Sequence, residues 1–443
     1  MLTVKNLLYT LILIFGIINC QNTSGTASND NRTETVDEQK LPLSAFNVYR
    51  GNTHAHTIIT WTHGPQREKF EGPFNMDWQA PPGTNLEDHT TLSMDPDDYN
   101  DQQGLPANHF KLAKENGYDF YVTTDHSQEP TLQPAVADNP FWINTLEAAA
   151  AYDDDPEFVA LTGFEFSRNT DEDGSRGHIN PINMAEYVNA DHRGGRPAWP
   201  EANWSIPQFY DWLKTAKPAG GEGTVVASFN HPGENQYGDW DHIDDEIVEK
   251  ITLFELHTNY RGFRLKPYLR ALNKGWKVSP VGSHDNHSYD NIVSAEDPPP
   301  TLVLAPELTK EAITRAMSER RTYVSWNEGT ELKYSVNDHI MGSTLDGTDS
   351  FNFQIEVKTP AGEPDKRVRR IQILRDHPEE EDDVEVVAEA MFNGYVDKIV
   401  WNPTVVDSTA KYFLLRIHHN NDITDEEFNR RGSTFSGPVW TGK

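Results

Sequence analysis

The chain has 443 residues, 36% of them hydrophobic and 11% aromatic, enough for one large core plus a smaller one and too apolar for wholesale disorder. Its formal net charge of −31 argues against nucleic acid, and against an anionic membrane surface, as partner. An anionic substrate would need metal or arginine to invert the local field.

Met1 to Cys20 reads as a targeting segment: Lys5 is followed by the apolar run Leu7 to Ile18, too short to span a membrane comfortably. It resembles a bacterial lipoprotein signal with Cys20 as the lipidated residue; the alternative is an ordinary secretory signal with an incidental cysteine. Either way the expectation is export, to the periplasm or to an outer membrane touched only through a lipid anchor at Cys20. Cys20 is the only cysteine, which excludes intrachain disulfides and multi-thiolate metal sites. Residues 21–44 form a polar tether, and the folded part begins near Ala45.

Val48 to Thr57 reads as a strand delivering His54 and His56 to one face, because alternate strand side chains share a face. Trp61 to Asp98 is a long Pro- and Gly-punctuated segment of the sort used as a lid or cleft wall. A helix is predicted from Pro106 to Asn116, stopped by Gly117. Strands then end in chemistry-bearing residues: Tyr118 to His126, Phe158 to Glu165, Val225 to Pro232, Ile251 to His257 and Val278 to His287, with Gly177 to Asn180 after an acidic loop. Helical patterns at Ile206–Lys217, Tyr268–Gly275 and Leu308–Arg320 separate several of them, predicting parallel βαβ units with polar residues at the strand ends. Beyond Arg321 the pattern changes to alternating strands at Glu331–Val336, Phe351–Val357, Val368–Leu374, Val384–Ala390 and Tyr412–His418. Residues 45–322 and 323–443 are therefore expected to be an α/β domain and a small β-sandwich-like domain.

The order His54-Ala55-His56, Thr124-Asp125-His126, Gly163-Phe164-Glu165, Gly177-His178, Asn230-His231-Pro232 and Asp285-Asn286-His287 resembles that of the PHP (polymerase and histidinol phosphatase) metal-hydrolase superfamily over residues 48 to 290. The ending Ser436-Gly437-Pro438-Val439-Trp440 resembles its exported DUF3604 branch. The resemblance implies a distorted (βα)7 barrel with a multinuclear centre of two or three divalent ions. It implies that His54, His56, Glu165 and Asp285 hold one ion. Glu165 would bridge to a second held by His178 and His231, while His126 and His287 hold a third, with His63 the nearest additional candidate. Glu165, Asp285 and His287 are the expected catalytic residues. Asn52 stands where the family commonly has Asp, and His284 is an extra residue in the last motif.

Imidazole and carboxylate ligands without thiolate suit Zn, Mn or Fe. Two cations bridged by a carboxylate lower the pKa of a shared water, giving a hydroxide nucleophile without Ser or Cys. The expected function is an exported metal-dependent hydrolase, a phosphoesterase by analogy, acting on a small-molecule or oligosaccharide-type substrate. The competing readings are a hydrolase of sulfate or carboxylate esters, and a glycan- or partner-binding protein using Trp61, Trp78, Trp199, Trp204 and Trp240. Asp125 is either a ligand or an orienting group behind one. Arg168 and Arg176 are candidates to grip an anionic oxygen, with solvated loop arginines as the alternative. Glu255 and His257 match no ligand position, and His257 stands evenly between core and substrate-facing roles. His89, His109, His192 and His242 read as surface residues.

Overall fold

The computed structural model describes residues 38–60, 104–132, 134–169, 176–190, 204–233, 236–258, 262–287, 299–327, 329–394, 396–419 and 433–443. Gln39–Lys443 form one compact unit. The chain is mixed α/β, with a large sheet and few helices among the described residues. The targeting segment, the tether, Trp61 to Asp98, His63, His89 and His192 lie outside the described residues.

The 15-stranded sheet begins with β1 (Asn47–Asn52), β2 (Phe120–His126) and β3 (Val159–Arg168), which run parallel. β4 (Gly177–Ile182) is antiparallel to both β3 and β5 (Val226–Asn230). β6 (Ile251–Thr258) is parallel to β5, carries the two-residue β7 (Gly262–Phe263) on one side, and pairs in parallel with β8 (Ser279–Ser283). The uniformly parallel arrangement fails at β4 for a steric reason. Residues 169–176 are too few for a parallel crossover, which takes a dozen or more, and β4 pairs antiparallel with β3. The end of β8 returns to the end of β1: the Asp285 N–H donates to His54 O at 3.1 Å and the His56 N–H to Asn286 O at 3.2 Å.

Side-chain alternation along these strands separates two environments. One face of β2, β3, β5, β6 and β8 carries Phe120 and Val122, Val159 and Leu161, Val226, Leu253 and Val281, all buried in one apolar cluster. Two or four residues further along the same face come His126, Glu165, Asn230 and Glu255. The opposite face supplies Phe164, Phe166, Phe229 and Phe254 to a second core with Trp240 and Trp276. Each fully buried side chain of this size contributes about 1.5–3 kcal/mol, so a one-residue slip of any strand is strongly disfavoured. The apolar floor therefore fixes which residues rise above it.

The helices cover these faces. α1 (Pro106–Glu115) begins with Pro106, whose missing N–H is no loss there, and Gly117, at φ +73°, takes the left-handed position just beyond its end. α2 (Pro140–Tyr152), absent from the sequence reading, is capped by Asn139, whose side chain accepts from the Phe141 and Trp142 N–H groups. α3 (Ile206–Lys214), α4 (Asp245–Val248), α5 (Leu265–Asn273) and α6 (Lys310–Ser318) complete the described set. Three of these lie inside the predicted helical stretches or overlap them. His109, read as a surface residue, is fully buried within α1; a helix face packed on Tyr121 leaves it no solvent side.

β9 (Thr301–Ala305) pairs antiparallel with β1, and β10 (Thr322–Ser325) with β9, so the sheet passes without a break toward the C-terminus. The five predicted C-terminal strands are present as β11 (Glu331–Val336), β13 (Ser350–Lys358), β14 (Val368–Asp376), β15 (Val384–Met391) and β18 (Tyr412–His419), with the short β12 (His339–Ile340), β16 (Lys398–Trp401) and β17 (Thr404–Val406) among them. β19 (Ser433–Ser436) joins β10 to β18, and β20 (Val439–Trp440) also pairs with β18. β11, β12, β13, β16 and β17 form a second, 5-stranded sheet. Leu302, Tyr323, Ile371 and Ile417 of the large sheet share one core with Val336, Phe353 and Ile355 of the small one.

Candidate metal centre

His126 and Glu165 are register partners on β2 and β3, and His178 is the partner of Asn230 on β4 and β5. His231 follows β5 at φ +30° and Asp285 follows β8 at φ +45°, both in the left-handed region that non-glycine residues avoid. Such backbone persists only where surrounding bonds over-determine it. Here the His231 N–H donates to Glu255 Oε2 at 2.7 Å, and the Asp285 N–H to His54 O.

These placements bring all eight expected ligands together. The His54 and His56 Nε2 atoms are 3.0 Å apart, and Asp285 Oδ1 lies 3.5 Å from the first and 3.2 Å from the second. Glu165 Oε1 is 3.6 Å from His54 Nε2, 3.0 Å from His178 Nδ1 and 3.3 Å from His231 Nε2. Glu165 Oε2 is 2.6 Å from His126 Nδ1 yet receives no hydrogen bond of good geometry. His126 and His287 approach through their Nε2 atoms at 3.4 Å. Among the described residues, three groups could each hold an ion: His54, His56 and Glu165; Glu165, His178 and His231; and His56, His126 and His287. Glu165 is common to two of them, and His56 stands in the third where the sequence offered only His63. His54, His56 and Glu165 are wholly buried, while the His287 side chain is 25% exposed and marks the open side.

The surroundings decide which nitrogen of each ring is available. His54 Nδ1 is 2.7 Å from Glu255 Oε1, an acceptor only, so Nδ1 carries the proton and the Nε2 lone pair faces the centre. The Thr60 hydroxyl donates to Asp125 Oδ1 at 2.8 Å and so accepts from His56 Nδ1 at 3.2 Å, which turns that Nε2 lone pair inward as well. His178 Nε2 faces Asn169 Oδ1 at 3.2 Å, leaving its Nδ1 for the centre. Two lone pairs 3.0 Å apart require a positive charge between them, either a proton or a cation. The donor set therefore fits divalent metal.

The local field agrees. Burial opposes a charge on His54, but Glu255, Asp285 and Glu165 overcome it and hold His54 well above its ordinary pKa. Burial, with His287 and His126 nearby, holds His56 well below its own. Burial would raise Glu165, yet His126, His178 and His54 keep it well below the usual carboxylate range. Asp285 is likewise depressed against its burial, by His54, His56, His231 and His287. Both carboxylates are anionic at neutral pH.

Asp125 is not among the clustered groups. Its carboxylate accepts from the N–H and hydroxyl of both Thr57 and Thr60, at 2.7 to 3.1 Å, which pins the turn after His56. Burial pushes it up to about 6 against those four bonds. Arg168 falls on the opposite face of β3 from Glu165 and Ser167, and donates to Trp204 O at 2.7 Å. Strand parity thus removes it from the ligand cluster. Arg176 adjoins β4 two residues before His178, with its Nε buried and unpartnered. His257 is buried beside Trp326, whose indole N–H points at its Nδ1 at 3.2 Å, and against Phe263. Asn52 accepts from the His284 N–H at 3.0 Å and donates to His54 O at 2.9 Å, lacing the first motif to the last. His284 itself faces away, toward the Tyr118 hydroxyl at 2.9 Å. Of the tryptophans proposed for sugar stacking, Trp240 is fully buried in the core and Trp204 packs on Trp212, while Trp61, Trp78 and Trp199 lie outside the described residues.

Two contributors had no role assigned from the sequence: Asn230 stood only as the neighbour of His231 in its motif, and Glu255 matched no ligand position. Asn230 donates to Glu165 Oε1 at 3.0 Å and to Asn180 Oδ1 at 2.6 Å. Glu255 touches both His54 and the His231 backbone. Its signal was present: on β6 it alternates with Phe254 and Leu256, a buried carboxylate two residues beyond the apolar Leu253.

Fold and site together define a mixed α/β protein with a histidine- and carboxylate-rich candidate metal centre. No protein-family model matches the chain, and no curated protein matches it. Among solved structures, a two-domain protein from Bacteroides vulgatus ATCC 8482, containing a predicted PHP-like metal-dependent phosphoesterase, is similar over 90% of this chain and 97% of that one. The TM-score is 0.41 and the sequence identity 13%.

Proposed function

We propose that this protein is a metal-dependent hydrolase, most plainly a phosphoesterase, that holds two or three divalent ions of Zn, Mn or Fe. The observation that carries the reading is Glu165, one buried carboxylate shared by two imidazole groups. Divalent ions bound there acidify water and offset charge on the oxygens of an ester under displacement. His54, His56 and Asp285 would hold the deeper ion, Glu165 would bridge, and His178 with His231 would hold the second. His126 and His287 would hold a third at the open side, where substrate enters. Arg176, two residues before His178, would meet an anionic ester oxygen, which the net charge of the chain would otherwise repel.

The finer architecture belongs to the same proposal: a distorted (βα)7 barrel over residues 45–322 and a β-sandwich-like domain over 323–443, of the exported DUF3604-like kind. The motif order and the return of β8 onto β1 support the first part. The core shared by the two sheets supports the second. Export with a lipid on Cys20 is read from the sequence alone; radiolabelled palmitate incorporated by the wild type and not by Cys20→Ser would test it.

The deciding experiment is elemental analysis of the chain from residue 21 onward, purified without chelator or added metal, followed by assay of phosphate mono- and diesters. Roughly two to three equivalents of metal with ester hydrolysis are expected. A chain that takes up no metal even on reconstitution would overturn the reading.

A further inference from the structure

β6 lies between β5 and β8 in the sheet, so a side chain near its C-terminal end can reach groups that follow both neighbours. Glu255 uses this position with both oxygens. Oε1 takes the His54 Nδ1 proton at 2.7 Å, and Oε2 takes the His231 backbone N–H at 2.7 Å. The carboxylate is wholly buried, and the His54 and His231 rings stack with centroids 6.0 Å apart.

Resting on the metal reading above, we propose that Glu255 is a positioning residue that couples two of the metal groups. Through His54 it acts on the group with His56 and Glu165; through His231 it acts on the group with Glu165 and His178. One oxygen fixes the ring tautomer that aims Nε2 inward. The other holds His231 in its left-handed backbone, without which the ring swings off the shared Glu165 oxygen. The remaining ligands of the third group, His126 and His287, are oriented by other atoms: Ser167 Oγ at 2.7 Å from His126 Nδ1, and the Asp285 carbonyl at 3.2 Å from His287 Nδ1. Glu255 therefore makes two groups gain or lose affinity together and leaves the third alone. Partners of this kind change metal affinity by about 10–100-fold.

The test is competition titration of the purified chain with Zn2+ against a chromophoric chelator, for wild type, Glu255→Gln and Glu255→Ala. Visible spectra of the Co2+-substituted proteins give a second readout. Glu255→Gln keeps an acceptor for His54 but presents an amide to the His231 N–H, so its affinities should fall between those of wild type and Glu255→Ala. Two equivalents should weaken together by about 10–100-fold, with altered ligand-field bands, while one keeps its affinity. Asp119→Asn is the structural control: that carboxylate accepts from the Arg50 N–H, away from the ligands, and its loss should lower the melting temperature without moving metal affinity. Where Glu255→Ala does not fold, the near-isosteric Glu255→Gln decides. Wild-type loading with identical loading of Glu255→Gln overturns this inference alone, as does uniform weakening of all equivalents. A wild type that binds no Zn2+ overturns the metal reading and this inference with it.

Discussion

His126 and Glu165 sit opposite each other in the register of two parallel strands, with His126 Nδ1 2.6 Å from Glu165 Oε2. The other oxygen, Oε1, lies toward His178 and His231 and also toward His54, so one carboxylate faces two imidazole groups. Substituting Glu165 by Ala should therefore remove metal from both groups it serves and abolish ester hydrolysis. Metal analysis and activity measured on the same sample would check this, and full activity in a metal-replete Glu165→Ala protein would sink the bridging role.

The Thr60 hydroxyl joins His56 to Asp125 and also accepts the His126 N–H at 3.1 Å. Thr60→Val keeps the shape and deletes these bonds, leaving buried polar groups under-satisfied. The metal-free protein should lose about 1–3 kcal/mol in urea denaturation. Metal affinity should drop by about 10–100-fold as His56 loses its fixed tautomer. An unchanged denaturation midpoint would show that Thr60 does not hold this turn.

β4 approaches the segment around Tyr237 at Gly177, where any Cβ would lie within the tyrosine ring. The Tyr237 hydroxyl spans this contact, accepting from the His178 N–H at 3.2 Å and lying 2.7 Å from His178 O. Gly177→Ala should push β4 away and weaken metal at the His178 and His231 group. Tyr237→Phe should weaken it less, because the ring still packs. Titration with Zn2+ would rank the two variants; equal affinities to wild type would refute the argument.

His419, on β18, is fully buried, and burial pushes its pKa from 6.5 down to about 4 against a bond to the Lys366 carbonyl. A depressed histidine binds protons more readily when the chain is unfolded, so stability falls as pH drops through 6.5 and levels off near 4. The cost accumulates to roughly 3 kcal/mol over that window. Urea denaturation at a series of pH values should show His419→Gln with a shallower acid slope than wild type. Parallel slopes would mean that His419 does not titrate in this range.

The ligand types and their order were legible in the sequence because strand alternation and strand-end position are local properties. Phe158 to Glu165 announces a buried strand carrying a carboxylate, although β3 runs on to Arg168; the strand expected to carry His54 and His56 ends at Asn52, so their convergence comes from the chain just beyond β1. The same locality fixed the end of α1 at Gly117 and the alternating strands of the C-terminal region. What the sequence left open is what depends on neighbours distant along the chain. Parity along β3 sends Arg168 away from Glu165, but only the packing of Phe166 on Phe209, with rings 4.0 Å apart, decides which face is which. Asp125 serves Thr57 and Thr60, 65 or more residues away, because β1 and β2 lie side by side. Glu255 meets His54 across 201 residues. A chain can specify which residues carry chemistry within a strand; which two share a proton is decided when the sheet brings their strand ends together.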